Sequence, residues 1–423
     1  MDVLLLDEWL PAICNTGKSI RTWELLAPAA KKHRITYLAH VDGSTQPENV
    51  RKMEAAGFEV VCVPRRRVYD SLPAMLLGAI PAMLDRLPIA VRRHFSPDYA
   101  AAVQKLVTER KFDLVHVEWS HYGVYLPLVE PLPTFICTHN VEFLSWRRLY
   151  ETARNPVWML LGLHEFRKMY RFEQNAYRNV DRLSAVSGPD AELIRSEFGV
   201  DNVDVIPNGV NIAAYDEIPN EPKPNHLVYC GSMDASVNQD AVEYFLRRIF
   251  PLILARKPET TFCVIGRHPP ASFLKWQNDH VTFTGALPDV RRALKEATLE
   301  IVPLRIGGGS RLKILEAFAA NVPVLSTALG AEGLDVKHDT NIVLADTPED
   351  FADRCVELLD DPQRRNRLIT EGRRTVDERY DWSRLSPLVE NAWTQTIETA
   401  KRRRSFVMQE PERSAAAYPL KDD

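Results

Sequence analysis

The feature that most constrains this chain is an alternation of short apolar runs with longer amphipathic stretches, played out twice. In the first half the apolar runs fall at 3–6, 35–41, 58–63, 114–118, 134–139, 183–186 and 203–206. They are too short for core helices and too uniformly apolar for half-exposed strands, so they read as strands buried on both faces. Helical periods lie between most of them, over 19–32, 47–56, 97–110 and a long stretch at 142–178. Strand–helix–strand units of this kind build a parallel sheet covered on both sides. The rhythm restarts at 227–230 and continues with strands at 261–265, 281–284, 299–304, 322–325 and 342–344, with helices at 239–256 and 290–296 among those between. Two doubly wound α/β domains are therefore expected.

The break between them is marked by the turn Pro207-Asn208-Gly209 and by Pro219, Pro222 and Pro224. This gives a first domain at 1–210, a linker at 211–225 and a second domain at 226–380. Helices at 381–404 are expected to pack back on the first domain. A polar tail without a period, 405–423, is expected to be disordered. The rhythm also fails at 65–96, where Arg65, Arg66, Arg67, Arg86, Arg92 and Arg93 mix with Leu72, Met75, Leu76, Leu77, Ile80, Met83, Leu84 and Leu87. That insertion reads either as a helical hairpin packed on its own domain or as a basic amphipathic face for peripheral membrane contact or a long acceptor chain.

A formal charge of -4 argues against a general nucleic-acid partner. The six cysteines are scattered, without a C-x-x-C pair, so neither a disulfide nor a zinc framework is suggested and a reducing cytoplasm is the expected compartment. Position 1 opens directly into a short apolar run and acidic residues, which does not resemble a secretion signal, and no apolar segment is long enough to span a bilayer.

The chemistry concentrates at Gly307-Gly308-Gly309-Ser310-Arg311-Leu312-Lys313-Ile314-Leu315-Glu316, between two strands of the second half. A glycine-rich turn that leaves a strand and opens a helix brings unpaired backbone N–H groups and the positive dipole end onto an anion. Ser310 is the expected N-cap. Arg311 and Lys313 place cations where the dipole disfavours them, and a bound phosphate would offset that. Glu316 lies on the Lys313 side, three residues on, and could accept the two hydroxyls of a ribose. The plainer alternative is a turn that only lets a helix pack on its sheet. Other strand ends carry Asn15 to Lys18, His139-Asn140, Gly231-Ser232, Gly266-Arg267 and Gly285. Ligands of open parallel sheets sit beyond such ends, so a phosphorylated ligand between two facing domains is the expectation. Glu118 and His121 flank a further strand end, and Trp119, Trp146 and Tyr150 read as core or wall aromatics.

At these residues the chain resembles a known family, the retaining glycosyltransferases of family four, with the GT-B fold of two Rossmann-like domains facing across a cleft. The resemblance is carried by 307–320, by Val322-Pro323-Val324-Leu325-Ser326-Thr327 and Gly330-Ala331-Glu332-Gly333-Leu334, and by Pro207-Asn208-Gly209. Cys230-Gly231-Ser232-Met233 and Thr138-His139-Asn140-Val141-Glu142 add to it. The loop Gly17-Lys18-Ser19-Ile20-Arg21-Thr22 is similar to that of sugar transferases of the PEP-CTERM and exopolysaccharide type.

The resemblance implies metal-independent transfer of a sugar, with retention, from a nucleoside diphosphate donor to a hydroxyl of a glycan or lipid-linked acceptor, with no cofactor. The cysteine usage and the basic, apolar insertion give the expected location as the cytoplasm, or the periphery of the inner membrane face. The resemblance also implies that Arg311 and Lys313 face the diphosphate, that Glu316 holds the donor ribose, and that His139 sits at the sugar and acceptor edge. Gly17, Gly231, Ser232, Gly307, Gly308, Gly309, Ser310, Ser326, Thr327 and Gly330 would complete the donor site. Two positions depart from the family pattern. Gly308 stands where a first glutamate is usual, and Gly231-Ser232-Met233-Asp234 lacks the usual arginine and lysine. A nucleotide-sugar epimerase and a non-catalytic nucleotide or glycan binder remain as alternatives.

Overall fold

The computed structural model describes every residue except 14–15, 44, 66–84, 153–154, 307–310 and 408–423. The chain divides into two compact units, Met1–Ile206 with the chain from Ser386 onward, and Pro207–Leu385.

The first unit is built on a seven-stranded sheet ordered β3-β2-β1-β4-β5-β6-β7. The strands are β1 Asp2–Leu6, β2 Arg34–Val41, β3 Phe58–Pro64, β4 Leu114–Glu118, β5 Thr134–Cys137, β6 Arg182–Ala185 and β7 Val203–Val205. Every pairing is parallel. The order reverses between β1 and β4, so the segments leaving those two strands diverge and open a crevice at their carboxyl ends. Leu4, Leu6, Leu38, Val115, Val117 and Ile136 are fully buried beneath it.

The second unit carries a six-stranded sheet ordered β10-β9-β8-β11-β12-β13. Its strands are β8 His226–Cys230, β9 Thr261–Ile265, β10 Val281–Phe283, β11 Leu299–Val302, β12 Val324–Ser326 and β13 Val343–Leu344. They too are all parallel, with the reversal between β8 and β11. The helix Leu312–Ala319 buries Ile314, Leu315, Ala317, Phe318 and Ala319, fixing its first turn at the carboxyl end of β11.

Several elements differ from expectation, each for a local reason. The stretch 142–178 is two helices, Glu142–Thr152 and Pro156–Arg178. Asn155 caps the second and Pro156 opens it, because proline has no N–H to continue a preceding helix. The stretch 239–256 contains a π-helical turn, Phe245–Ile249, between Ser236–Tyr244 and Phe250–Leu254, immediately before Pro251. The helix expected at 19–32 is Gly17–Ala30, started by a reciprocal cap between Thr16 and Ser19. The proposed linker holds a helix, Ile212–Asp216, whose Ile212 and Tyr215 enter the second core.

The last helix, Trp382–Val407, runs past the expected end at 404. Within the first unit Ser386 Oγ donates to the Leu25 carbonyl at 2.7 Å, and Glu390 meets Lys32 and His33 at 2.8 and 3.0 Å. Of the 65–96 insertion, 66–84 lies outside the described residues, as does the tail beyond 407. The rest of the insertion includes the helix Ile89–His94, with Val91 buried.

Candidate active site

The second unit gathers its polar residues at the β8 and β11 ends. Lys313, in the first turn of Leu312–Ala319, lays its ammonium 3.8 Å from the centre of the Tyr229 ring. The same Nζ donates to Asn238 Oδ1 at 3.2 Å, and the Tyr229 hydroxyl donates to that oxygen at 2.6 Å. Asn238 Nδ2 in turn donates to the Ser232 carbonyl at 2.7 Å. Gly231 is required here, since a Cβ on it would lie 2.9 Å from Asn238 Cγ. A Cβ on Gly266 would meet the Gly231 carbonyl at 1.9 Å, so the two strand ends touch backbone to backbone.

Burial dominates the electrostatics. It pulls the Lys313 ammonium down to about 8, opposed by the nearby carboxylates of Glu300 and Glu316. Glu300, fully buried on β11, is pushed up to about 8, although its Oε1 accepts the Cys230 N–H at 3.0 Å. Glu316 is raised by burial and lowered in part by Lys313.

Arg311 occupies the N-cap position expected for Ser310, which lies outside the described residues together with Gly307, Gly308 and Gly309. It is 5% exposed and donates to the Leu329 carbonyl at 3.0 Å, tying the helix start to the turn Leu329–Ala331. Ser326 and Thr327 are buried, with hydroxyls bonded to backbone. Ser326 Oγ lies 3.2 Å from the Val302 carbonyl, and Thr327 Oγ1 donates to the Leu304 carbonyl at 2.6 Å and accepts the Gly330 N–H at 2.9 Å. Their hydroxyls thereby shape the turn after β12. Gly330 is held by the same packing, since a Cβ would lie 2.4 Å from Ser326 Oγ.

Sequence reasoning missed two residues here, Asn238 and Tyr229, which hold Lys313. Arg267, expected at this edge, donates to Ser232 Oγ at 3.1 Å while standing 3.2 Å from Asp234. Arg267 brings from the end of β9 the cation that the segment after β8 lacks. Its position after a strand and a glycine was the available signal.

The first unit presents a different edge. His139 Nε2 lies 3.1 Å from Glu118 Oε1, and His116 Nε2 lies 2.8 Å from Oε2. Thr22 Oγ1 donates to Glu118 at 2.8 Å. Trp393 donates its indole N–H to His116 Nδ1 at 3.1 Å, which leaves the His116 ring proton on Nε2, toward Glu118. Burial opposes ionisation of Glu118, but the bonds from His116 and His139 prevail and hold it well below the usual carboxylate range. Burial lowers His139, partly offset by Glu118.

Gly17 opens a helix rather than lying in a loop, and Lys18 beside it turns inward, 2.5 Å from Asp7. Burial raises Asp7 to about 6 against the pull of Lys18. Trp119, half-buried with φ of 115°, is a wall aromatic, one of the two readings expected: its indole N–H donates to Glu142 at 3.1 Å, and Lys18 lies 4.8 Å over its ring. His94 and His121 line it at 4.9 and 3.8 Å between centroids. One buried cluster, His116, Glu118 and Cys137, has metal-ligand atoms within 4.8 Å of one another. Its imidazole and carboxylate are already engaged as described.

Two family models match the chain, one described as Glycosyltransferase Family 4 over residues 27–214 and one as Glycosyl transferases group 1 over 224–361. The chain is a family-four glycosyltransferase. A relative from Corynebacterium glutamicum, a GDP-mannose-dependent monoacylated alpha-(1-6)-phosphatidylinositol monomannoside mannosyltransferase, is 25% identical over 318 residues, 70% of this chain and 80% of that protein. Among solved structures, Anabaena HepE in complex with UDP and glucose superposes with a TM-score of 0.64 at 15% identity, covering 93% of this chain and 99% of that one. Sucrose-phosphate synthase from Thermosynechococcus elongatus gives 0.66 at 16%, covering 93% and 98%. These likenesses establish a GT-B glycosyltransferase fold for the chain.

Proposed function

We propose that this glycosyltransferase moves a sugar from a nucleoside diphosphate donor to a hydroxyl of a glycan or lipid-linked acceptor, with retention and without a metal. The observation that carries the reading is Lys313, half-buried against an aromatic face and an amide oxygen, between Arg311, which is buried, and Glu316 in sequence, at the carboxyl end of the second sheet. As the donor breaks, negative charge grows on the leaving phosphate and positive charge on the sugar ring. Pre-placed cations and helix-end N–H groups stabilise the first without having to reorganise. Arg311 and Lys313 supply the charge that a metal would otherwise bring. Glu316 grips the ribose diol. The first unit takes the acceptor side, where His139 is oriented by Glu118.

The Corynebacterium relative uses GDP-mannose and a phosphatidylinositol glycolipid, which supports a nucleotide-linked hexose and an acceptor carrying lipid. The HepE complex holds UDP and glucose, so the donor screen spans both bases. Purified protein is incubated with UDP- and GDP-sugars and candidate acceptors, with and without EDTA, and released nucleotide is measured. Release with one donor, undiminished by EDTA and giving a product of unchanged anomeric configuration by NMR, is expected. Failure with every donor, loss in EDTA, or an epimerised donor in place of a glycoside would each refute it.

A further inference from the structure

Where the helical hairpin of the first unit projects, the opening turn of Pro156–Arg178 carries four apolar residues in a row facing water. Val157 is 71% exposed, Trp158 56%, Met159 42% and Leu160 63%, and Leu149 on the neighbouring helix is 37% exposed. They make up five of the chain's large exposed apolar side chains. Scattered single residues of this kind are ordinary, but a contiguous patch marks a contact.

The inner side of the hairpin has no need of them. Gly162 packs against Tyr150, whose Cβ would lie 3.0 Å from an added Cβ, and Phe143, Phe166 and Tyr170 interlock beneath. The acidic residues are also spent inward. Glu165 accepts from the Ile89 N–H at 2.7 Å and from Lys168 at 3.1 Å, and Glu173 accepts from the Phe143 N–H at 2.9 Å and the Tyr177 hydroxyl at 2.7 Å. Glu142 takes the Trp119 N–H. Among the described acidic residues of the two helices only Glu151 is exposed, and it pairs with Arg147 at 3.0 Å.

Positions 157, 160, 164, 167 and 171 recur at helical spacing, so they form one outward stripe. That stripe is apolar at the tip, passes His164, and ends in exposed Arg167 and Arg171. At a rise of about 1.5 Å per residue, the first arginine stands roughly 10 Å behind Leu160. This matches the spacing between the acyl boundary and lipid phosphates for an element immersed about 5–10 Å deep.

We infer that the tip of this hairpin is a membrane-docking element, with Trp158 and its apolar neighbours entering the lipid interface and Arg167 and Arg171 meeting anionic headgroups. Tryptophan suits that depth because its ring is apolar and its N–H is polar. Among the described residues no helix is long and apolar enough to cross a bilayer, so attachment of this kind is peripheral. The inference does not depend on which donor is used, since binding is read with no sugar present.

The test is co-sedimentation of the full chain with vesicles of phosphatidylcholine alone or with about a third phosphatidylglycerol, at fixed salt. Binding to the anionic vesicles, at least tenfold weaker on the neutral ones, is expected. A Trp158→Ala, Leu160→Gln double variant should lose at least tenfold in partitioning. An Arg167→Glu, Arg171→Glu variant should lose about tenfold or more, because each basic residue near an anionic surface adds a several-fold gain. Both pairs are exposed, so thermal stability should not move and a folding defect would be seen separately. Equal partitioning of the wild type and the apolar double variant would overturn the proposal. So would no binding to either vesicle, or a wild-type dimer that the apolar variant converts to monomer, which would give the patch to a second copy.

Discussion

At the edge of the first sheet Lys18 lies 2.5 Å from Asp7, and Glu118 accepts from Thr22 with His116 and His139 at 2.8 and 3.1 Å. At the edge of the second, Lys313 rests on a ring face and an amide oxygen, with no described carboxylate at ion-pair distance. The same kinds of group are therefore used in opposite ways. The first edge balances its charges internally and presents oriented side chains and aromatic walls. The second holds a half-buried cation against a ring and an amide, without a described carboxylate at ion-pair distance.

The largest effect that would break this contrast is at Glu118. Removing one partner from a buried charged network leaves the others unsatisfied, so Glu118→Ala should lower unfolding free energy by about 3–5 kcal/mol, read by chemical denaturation. A loss below about 1 kcal/mol would mean the first edge is not internally balanced. The stabilisation should persist at neutral pH and fail in acid. Because Glu118 is held below its ordinary value when folded, the benefit is present above the unfolded carboxylate pKa and disappears as pH falls through the folded one.

Next come Lys313→Ala and Arg311→Ala, each expected to reduce kcat by about a hundredfold while leaving the fold intact. Near-normal turnover in both would remove the diphosphate from this helix start. A sharper version uses pH. Lys313 sits at about 8 in the free protein, and a bound diphosphate would raise it, so nucleotide binding takes up a proton above that pH. Calorimetric affinity for the nucleoside diphosphate should fall by up to ~tenfold per pH unit above about 8, and Lys313→Ala should abolish the slope. The smallest effect is at Ser326. Its hydroxyl is bonded to backbone, so Ser326→Ala should cost about 1 kcal/mol of stability and leave the donor KM within roughly twofold. A large rise in KM would instead give that hydroxyl to the ligand.

The two sheets were legible because strands buried on both faces leave continuous apolar runs, and β4 and β11 announce themselves in this way. Helix interruptions were less legible where one residue decides them. Asn155-Pro156 divides a stretch whose apolar period continues on either side, and Pro251 follows a π turn that periodicity alone does not show. Of the site, Lys313, Arg311 and Glu316 stand together in sequence and could be read as a group. Asn238 could not, because it meets Lys313 from 75 positions away through a crossover between strands. Trp119 was legible only as a core or wall aromatic, and a positive φ at the end of β4 carries its ring to the sheet edge, the second of the two.

Asn238 gives a hydrogen to one neighbour while receiving them from two others, which its uncharged amide can do and an ionised carboxylate cannot. An aspartate of the same shape would repel the Ser232 carbonyl and fasten the lysine to itself, acting as a resident rival to any incoming phosphate. Neutrality at this one position holds the lysine without an ion pair.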